Sequence, residues 1–318
     1  MKRAHAMPAA LESAVAVKHV SHRTNEVQFD FAGPKWSFLS ENLVTPAHPA
    51  WFNIVTFVAI FRGLRARDDT ATALAVCRWS CDRRILRPVE CSRALVAAEE
   101  AHQEQWVDTT LSVMDAQGRI WAKCGMRAKV LGSAAEFAQR RAVAKARVDP
   151  SVRESRQGRL IAAALVRGVT TVPLIGDLED GCSLFVVSKR MAMEEHPYYE
   201  GSGDHVNTQM QSDLFLQFCA AVCRKVMGVE ADSFVTVASS MQMLRFVEFD
   251  VETLLELTET AAATVSDKPF EDTAPFEVAR EWSDVECELR VVRAQLSQQH
   301  RVCGRFESVL LPLSKSKL

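Results

Sequence analysis

The sequence predicts an α+β protein made of two copies of one unit, each with a buried helix followed by antiparallel strands. Three segments recur in the same order in both halves of the chain, which indicates an internal repeat. The pairs are WFNIVTFVAIF with HVNTQMQSDLF, LRPVE with LRFVE, and CGMRAKVL with CGRFESVL. We therefore divide the chain into an N-terminal copy with its connector, residues 1–150, and a C-terminal copy, residues 151–318.

The first segment of each copy has the apolar spacing of a helix. The apolar positions are Phe52, Val55, Phe57, Val58 and Phe61 in the first copy, and Met210, Leu214, Phe218, Ala221 and Val222 in the second. A helix that is apolar on nearly every face is buried, and the burial partner available in each unit is its own sheet.

The segments after these helices are typical of strands. Runs of Val, Leu, Ala, Cys and Trp occupy residues 71–80, 93–101, 106–131 and 287–311, with a turn at DAQG, residues 115–118. Residues 133–150 predict an Ala/Arg-rich connecting helix that ends at Asp149-Pro150. The second copy is longer before its last anchor, and residues 258–283, rich in Thr, Ala, Asp and Pro, are predicted to be a surface insertion.

Composition and charge are those of an ordinary globular chain. The 318 residues carry 38 basic and 40 acidic side chains, so no nucleic-acid partner is expected. The apolar run at residues 51–61 is too short to span a membrane, which takes about 20 residues. The chain has nine cysteines and no CxxC pair, which favours reduced thiols and a cytoplasmic location. Cys219 and Cys223, one helical turn apart, are predicted to be buried small residues rather than metal ligands.

Chemically active residue types are concentrated in YYEGSGDHVN, residues 198–207, directly before the second apolar helix. Both tyrosines of the chain lie in this stretch. Such a segment is either a loop that caps a helix or an active site.

The sequence around Asn207 resembles the type III acyl-CoA thioesterases of the hot dog superfamily. In that family a tyrosine precedes an H-x-N element that opens the central helix, and Tyr199, His205 and Asn207 match this pattern. Ala238-Ser239-Ser240 extends the likeness, and the H-V-N element is also similar to that of plant acyl-carrier thioesterases. The resemblance covers most of the C-terminal copy. The first copy keeps an asparagine, Asn53, without the histidine and the tyrosine.

The resemblance implies a double hot dog, in which each of two tandem sheets wraps around a long helix. It also implies hydrolysis of an acyl-CoA or acyl-carrier thioester without a metal, a cofactor or a covalent intermediate. No G-x-S-x-G, Walker or H-E-x-x-H element occurs in the chain. A double hot dog already contains the pairing that single-copy relatives make as dimers, so we expect a monomer or a homodimer of double hot dogs.

The catalytic candidates are Asn207, His205, Tyr199 and Asp204. Asn207 would orient the water or the carbonyl, or is simply a good N-cap. His205 would act as general base, or is a loop histidine bonded to backbone. Tyr199 would donate to the thioester oxygen, or only covers an interface. Asp204 would hold His205 or activate water, or is an acid favoured by the helix dipole.

The substrate-binding candidates are Tyr198, Gly203, Thr208 and Asp213. Tyr198 would line the acyl tunnel, and Gly203 permits close approach of the backbone to a ligand. Thr208 would supply an N–H donor to an oxyanion at the helix start. Asp213 would act as the base, or is merely an exposed residue at an interface.

Two other functions stay open at this point. A hot dog dehydratase would use His196, which precedes Pro197, but the helix position where that family carries its acid falls near Met210. A non-catalytic acyl-binding protein would tolerate alanine throughout the loop.

Overall fold

The computed structural model describes the sheet, two helices and several turns. The described residues are 15–21, 24–29, 72–83, 91–100, 106–115, 117–146, 159–161, 178, 181–187, 205–225, 228, 234–263 and 289–312. The predicted helix of the first copy, Asn53 and the end of the connector at Asp149-Pro150 lie outside them.

Twelve strands and two helices make up the described secondary structure. The strands are β1 (Val15–Ser21), β2 (Thr24–Phe29), β3 (Thr72–Arg83), β4 (Cys91–Glu100), β5 (Trp106–Asp115), β6 (Ile120–Ser133), β7 (Arg159–Ile161), β8 (Cys182–Val187), β9 (Phe234–Met243), β10 (Glu252–Ala263), β11 (Leu289–Gln298) and β12 (Arg301–Pro312). The helices are α1 (Ala134–Ala146), between β6 and β7, and α2 (Thr208–Lys225), between β8 and β9. Neither helix is long and apolar enough to cross a membrane.

All twelve strands form one sheet in the order β1-β2-β4-β5-β6-β3-β9-β12-β11-β10-β8-β7. Every pairing is antiparallel except that of β7 with β8. The order of the first six strands recurs in the last six when these are followed from the opposite edge. Strands β3 and β9 meet in the middle and join the two halves, with Ser80 opposite Ser240.

The two long hairpins turn differently. At the β5–β6 turn, the predicted DAQG segment ends at Gly118, whose φ of 79° is readily adopted only by glycine. The β11–β12 hairpin closes with Gln299 and His300, at φ 50° and 60°, because a two-residue turn of this hand needs positive φ at both positions. The sequence lacks the Asn-Gly signal there, so the second turn was not predicted.

The connection between β10 and β11, residues 264–288, is much longer than its counterpart between β4 and β5, residues 101–105. This is the place where the repeat predicted an insertion. The predicted start of that insertion was wrong, because residues 258–263 continue β10 and pair with β11. Alanine and threonine in this stretch suggested a loop, but the cross-strand pairing with β11 keeps it in the sheet.

Helix α2 packs on one face of the C-terminal strands through its buried side chains. The rings of Phe215 and Phe306 stack at 5.0 Å between centroids, and both are buried. Burial of one such side chain contributes about 2 kcal/mol. Cys219, also buried, lies near Ser308, two residues after Phe306 on β12. A helix is thus present where the sequence predicts one in this copy, and Cys219 and Cys223 are buried as predicted.

Helix α1 begins with a capping box at the end of β6. The Glu136 N–H donates to the Ser133 hydroxyl, and the Ser133 N–H donates back to Glu136 Oε2 at 3.0 Å. Gly132 precedes this cap with φ 89°, and a β-carbon there would lie 2.6 Å from Glu136 Oε2. The sequence therefore fixes where the connecting helix starts.

Candidate active site at the start of helix α2

Helix α2 begins directly after His205-Val206-Asn207. The Gln211 N–H donates to the Asn207 carbonyl at 3.1 Å, which is the first hydrogen bond of the helix and places Asn207 at the N-cap. Asn207 and Thr208 are half-buried. The N–H groups of the first turn have no acceptor inside the helix and, with the helix dipole, form a region of partial positive charge.

The peptide groups of Val206 are fixed on both sides. The Val206 N–H donates to the Val247 carbonyl at 2.8 Å, forming an isolated antiparallel bridge. The Val206 carbonyl accepts from Gln211 Nε2 at 3.0 Å. Because Val206 and Val247 are fully buried, these bonds are shielded from water and hold the helix start in place.

Gln211 has a buried acceptor that no described residue satisfies. The residue is 4% exposed, and Oε1 has no hydrogen-bond partner among the described residues. The amide orientation is set by Nε2, which faces the Val206 carbonyl. Since the two polar atoms of one amide are about 2.2 Å apart, Oε1 also lies at the start of the helix. An unmet buried acceptor costs about 1–3 kcal/mol, which a bound water or ligand would recover.

His205 lies against Phe246. The two rings meet edge to face with their centroids 4.8 Å apart, and His205 is half-buried. Phe246 also contacts Phe137 of α1 at 5.6 Å and lies 4.4 Å below the Arg141 guanidinium. The imidazole thus contacts a ring that itself packs against two residues of α1.

Arg141 and Glu248 form a bidentate ion pair behind Phe246. Arg141 Nη1 and Nη2 donate to the two Glu248 carboxylate oxygens at 2.8 and 2.9 Å. The side chains are 7% and 16% exposed. Such fork geometry fixes orientation as well as distance.

Gln298 holds the backbone of Glu248 from the opposite side. Its Oε1 accepts from the Glu248 N–H at 2.8 Å, and its Nε2 donates to the Glu248 carbonyl at 2.9 Å and to Thr253 Oγ1 at 2.8 Å. The segment Phe246-Val247-Glu248 is thus bonded to α1, to β11 and to the residues that open α2.

The structure brings together only part of the predicted site. His205, Asn207 and Thr208 lie at the helix start, whereas Tyr198, Tyr199, Gly203, Asp204 and His196 lie outside the described residues. Asp213 belongs to α2, but its side chain is not among those described. Within the described parts of the chain, no group of three His, Cys, Asp or Glu residues is arranged to hold a metal ion.

Gln211, Arg141, Phe246 and Glu248 were not predicted. Gln211 was detectable, because it is a polar residue one helical turn after Asn207 in a mostly apolar helix. The other three depend on a contact across 107 residues, which no local pattern reports.

No protein-family model matches the sequence, and no curated protein matches it. An acyl-ACP thioesterase from Bacteroides thetaiotaomicron has a similar structure, with 10% identity, 94% of this chain and 99% of that chain covered, and a TM-score of 0.44. An acyl-CoA thioesterase II from Mycobacterium marinum shares 9% identity, with 97% and 99% covered and a TM-score of 0.39. A protein of unknown function with a hot dog fold from Alicyclobacillus acidocaldarius shares 9% identity, with 96% and 98% covered and a TM-score of 0.41.

The structure of this chain is thus distantly similar to those of hot dog fold thioesterases. At these identities and TM-scores the similarity concerns the fold, so the chemistry of the protein has to be inferred from its own residues.

Proposed function

We propose that this protein hydrolyses an acyl thioester, with acyl-CoA as the first substrate class, to the free acid and the thiol. The observation that carries the proposal is the buried acceptor Gln211 Oε1, which has no partner among the described residues and belongs to the first turn of α2 after the N-cap Asn207. Together with His205, these residues offer a water acceptor, an amide, a base and an N–H-lined positive end around the start of α2. Those are the groups that attack of water on a carbonyl requires.

In this mechanism the thioester oxygen points at the first-turn N–H groups, including that of Thr208, which stabilise it as it becomes an oxyanion. Asn207 orients the carbonyl or the water through its side-chain amide. Gln211 Oε1 accepts a hydrogen bond from the attacking water, and His205 takes its proton. The C–S bond then breaks, and the thiolate receives the proton from His205. Tyr199 and Asp204 are still predicted to assist catalysis, and Tyr198, Gly203 and Asp213 are still predicted to contact the substrate.

The thiol of Cys219 in α2 is a poor nucleophile near pH 7. Burial, followed by the neighbouring Cys223, raises the pKa of Cys219 well above its ordinary value. Cys219 is therefore a neutral thiol near pH 7, and only the thiolate attacks. This agrees with a mechanism that forms no covalent intermediate.

The fold that accompanies this function would be a double hot dog, with residues 1–150 and 151–318 as its two repeats. The support is the recurrence of the strand order in the two halves. A helix around Asn53 stays a prediction from the repeat.

The experiment is thioester hydrolysis measured on a panel of short, long, branched and aromatic acyl-CoAs. The free acid is quantified by mass spectrometry, because the nine cysteines of the chain can also react with a thiol reagent. Asn207→Ser keeps a good N-cap and removes the amide, whereas Asn207→Ala removes both. We expect both variants to lose roughly a hundredfold in kcat, with only the alanine variant losing about 1 kcal/mol of stability. Full activity of Asn207→Ser would mean that Asn207 is only a cap.

A second variant tests the observation that carries the proposal. Gln211→Leu should lower kcat by roughly tenfold to a hundredfold, because the water loses its acceptor. Gln217→Leu, on the same helix and half-buried, is the matched control and should keep its activity. Turnover of an enoyl-CoA without acid release would contradict the thioesterase proposal and favour the dehydratase.

A further inference from the structure

The segment Phe246-Val247-Glu248 connects helix α1 to the start of helix α2 through three consecutive residues. The ring of Phe246 contacts the His205 ring, the Val247 carbonyl accepts from the Val206 N–H, and the carboxylate of Glu248 binds Arg141. The segment thus makes a ring contact, a backbone bond and an ion pair in succession.

Arg141 acts on this segment at two points. Its guanidinium binds Glu248 with both Nη atoms and also lies 4.4 Å from the centroid of the Phe246 ring. A planar guanidinium can do both at once, whereas a lysine ammonium cannot form the fork or stack in the same way. The side chain is almost fully buried, so solvent cannot substitute for it.

The far side of the segment is fixed independently. Gln298 binds the N–H and the carbonyl of Glu248, and its amide is in turn bonded to the buried Thr253 hydroxyl. With β11 as the fixed side, a change at Arg141 would tilt Phe246 and Glu248 and leave the strand in place. The displacement of Phe246 and Glu248 would then move the His205 ring. It would also move the Val206 peptide, whose carbonyl accepts from Gln211 Nε2.

We infer that Arg141 of the connecting helix is a positioning residue for the start of α2: by holding Phe246 and Glu248, it sets the His205 ring and the Val206 peptide groups. This inference rests on the proposed function for its consequence in catalysis, because His205 and Gln211 are the groups it aligns. Its structural part, the orientation of His205, can be measured without any substrate.

The test compares Arg141→Lys with Arg140→Lys, the same change on the neighbouring residue of α1, whose guanidinium is exposed and bonded to the Leu131 carbonyl. Imidazole resonances of the eight histidines are recorded by NMR, and His205 is assigned with His205→Gln. We expect the His205 resonance to move more than any other in Arg141→Lys, since its position relative to the Phe246 ring changes, and to stay in place in Arg140→Lys. Acyl-CoA hydrolysis should fall about tenfold in kcat with KM within about twofold.

Glu248→Gln is the second variant. If Arg141→Lys does not fold, the His205 resonance of Glu248→Gln tests the inference. An unmoved His205 resonance in the folded variants overturns the inference whatever the activity does. A moved resonance with unchanged kcat overturns the role in catalysis. If the parent hydrolyses no acyl-CoA, the proposed function fails, while the resonance still decides whether Arg141 holds His205.

Discussion

The ion pairs Arg141–Glu248 and Arg293–Glu307 differ in which partner is shielded from water. In the Arg141–Glu248 pair the side chains are 7% and 16% exposed, so both charges are buried. In the Arg293–Glu307 pair they are 35% and 3% exposed, so only the carboxylate is buried. Arg293 also binds Glu259, which is 49% exposed.

The two pairs also arise in different ways. Glu259, Arg293 and Glu307 are direct cross-strand neighbours on β10, β11 and β12, so the sheet register alone brings them together. Arg141 and Glu248 meet only because α1 packs on the segment that follows β9. The sheet pair therefore links neighbouring strands, whereas the helix pair links α1 to the segment that contacts His205 and Val206.

Removal of Glu248 should have the largest effect on stability. Glu248→Ala leaves the Arg141 guanidinium buried without its partner, which costs about 3 kcal/mol. The free energy of unfolding from urea titration measures this cost. If Glu248→Ala loses no more free energy of unfolding than Glu307→Ala, the burial of Arg141 does not determine the cost of removing its partner.

The matched change in the sheet, Glu307→Ala, should have a smaller effect. Arg293 keeps Glu259 and reaches solvent, so we expect a loss of about 1 kcal/mol in the same titration. Acyl-CoA hydrolysis by Glu307→Ala should stay at the parent level. Glu307 and Phe306 are adjacent on β12 and so point to opposite faces of the sheet, and Phe306 is on the face that packs on α2. A strong loss of activity would contradict the separation of the two pairs.

The same contrast explains how much the sequence could predict. Local spacing predicts strands at residues 71–80, 93–101, 106–131 and 287–311, the β5–β6 turn, the connecting helix and a helix after Asn207, and the structure has strands and helices at these places. The end of β10 was predicted wrongly, because only cross-strand pairing keeps Ala261 and its neighbours in the sheet. The position of His205 and Asn207 before a helix was also readable locally, whereas their roles remain predictions.

Side-chain contacts between distant elements could not be predicted. Arg141 is one of two adjacent arginines in α1, and nothing in that segment distinguishes it from the exposed Arg140. Glu248 lies in LRFVE, which was singled out only as a repeat anchor. Its pairing with Arg141 depends on how α1 packs, and no local sequence pattern predicts that packing.

The smallest effect concerns the cap that starts α1, the helix that carries Arg141. Hydrogen bonds from the Ser133 N–H, and then from its hydroxyl, hold the pKa of the exposed Glu136 below its ordinary value. A lowered pKa means that the folded state favours the carboxylate, so this stabilisation is present above the ordinary glutamate pKa, about 4.3, and is lost as pH falls through the lowered value. We expect Glu136→Gln to melt slightly below the parent at pH 7 and at the same temperature in the acid range. Melting temperatures across pH, with Gln139→Ala on the exposed side of α1 as the control, measure the difference. A difference that persists in acid would mean that Glu136 supports α1 without its charge, and Arg141 would then depend on side-chain packing for its place rather than on this cap.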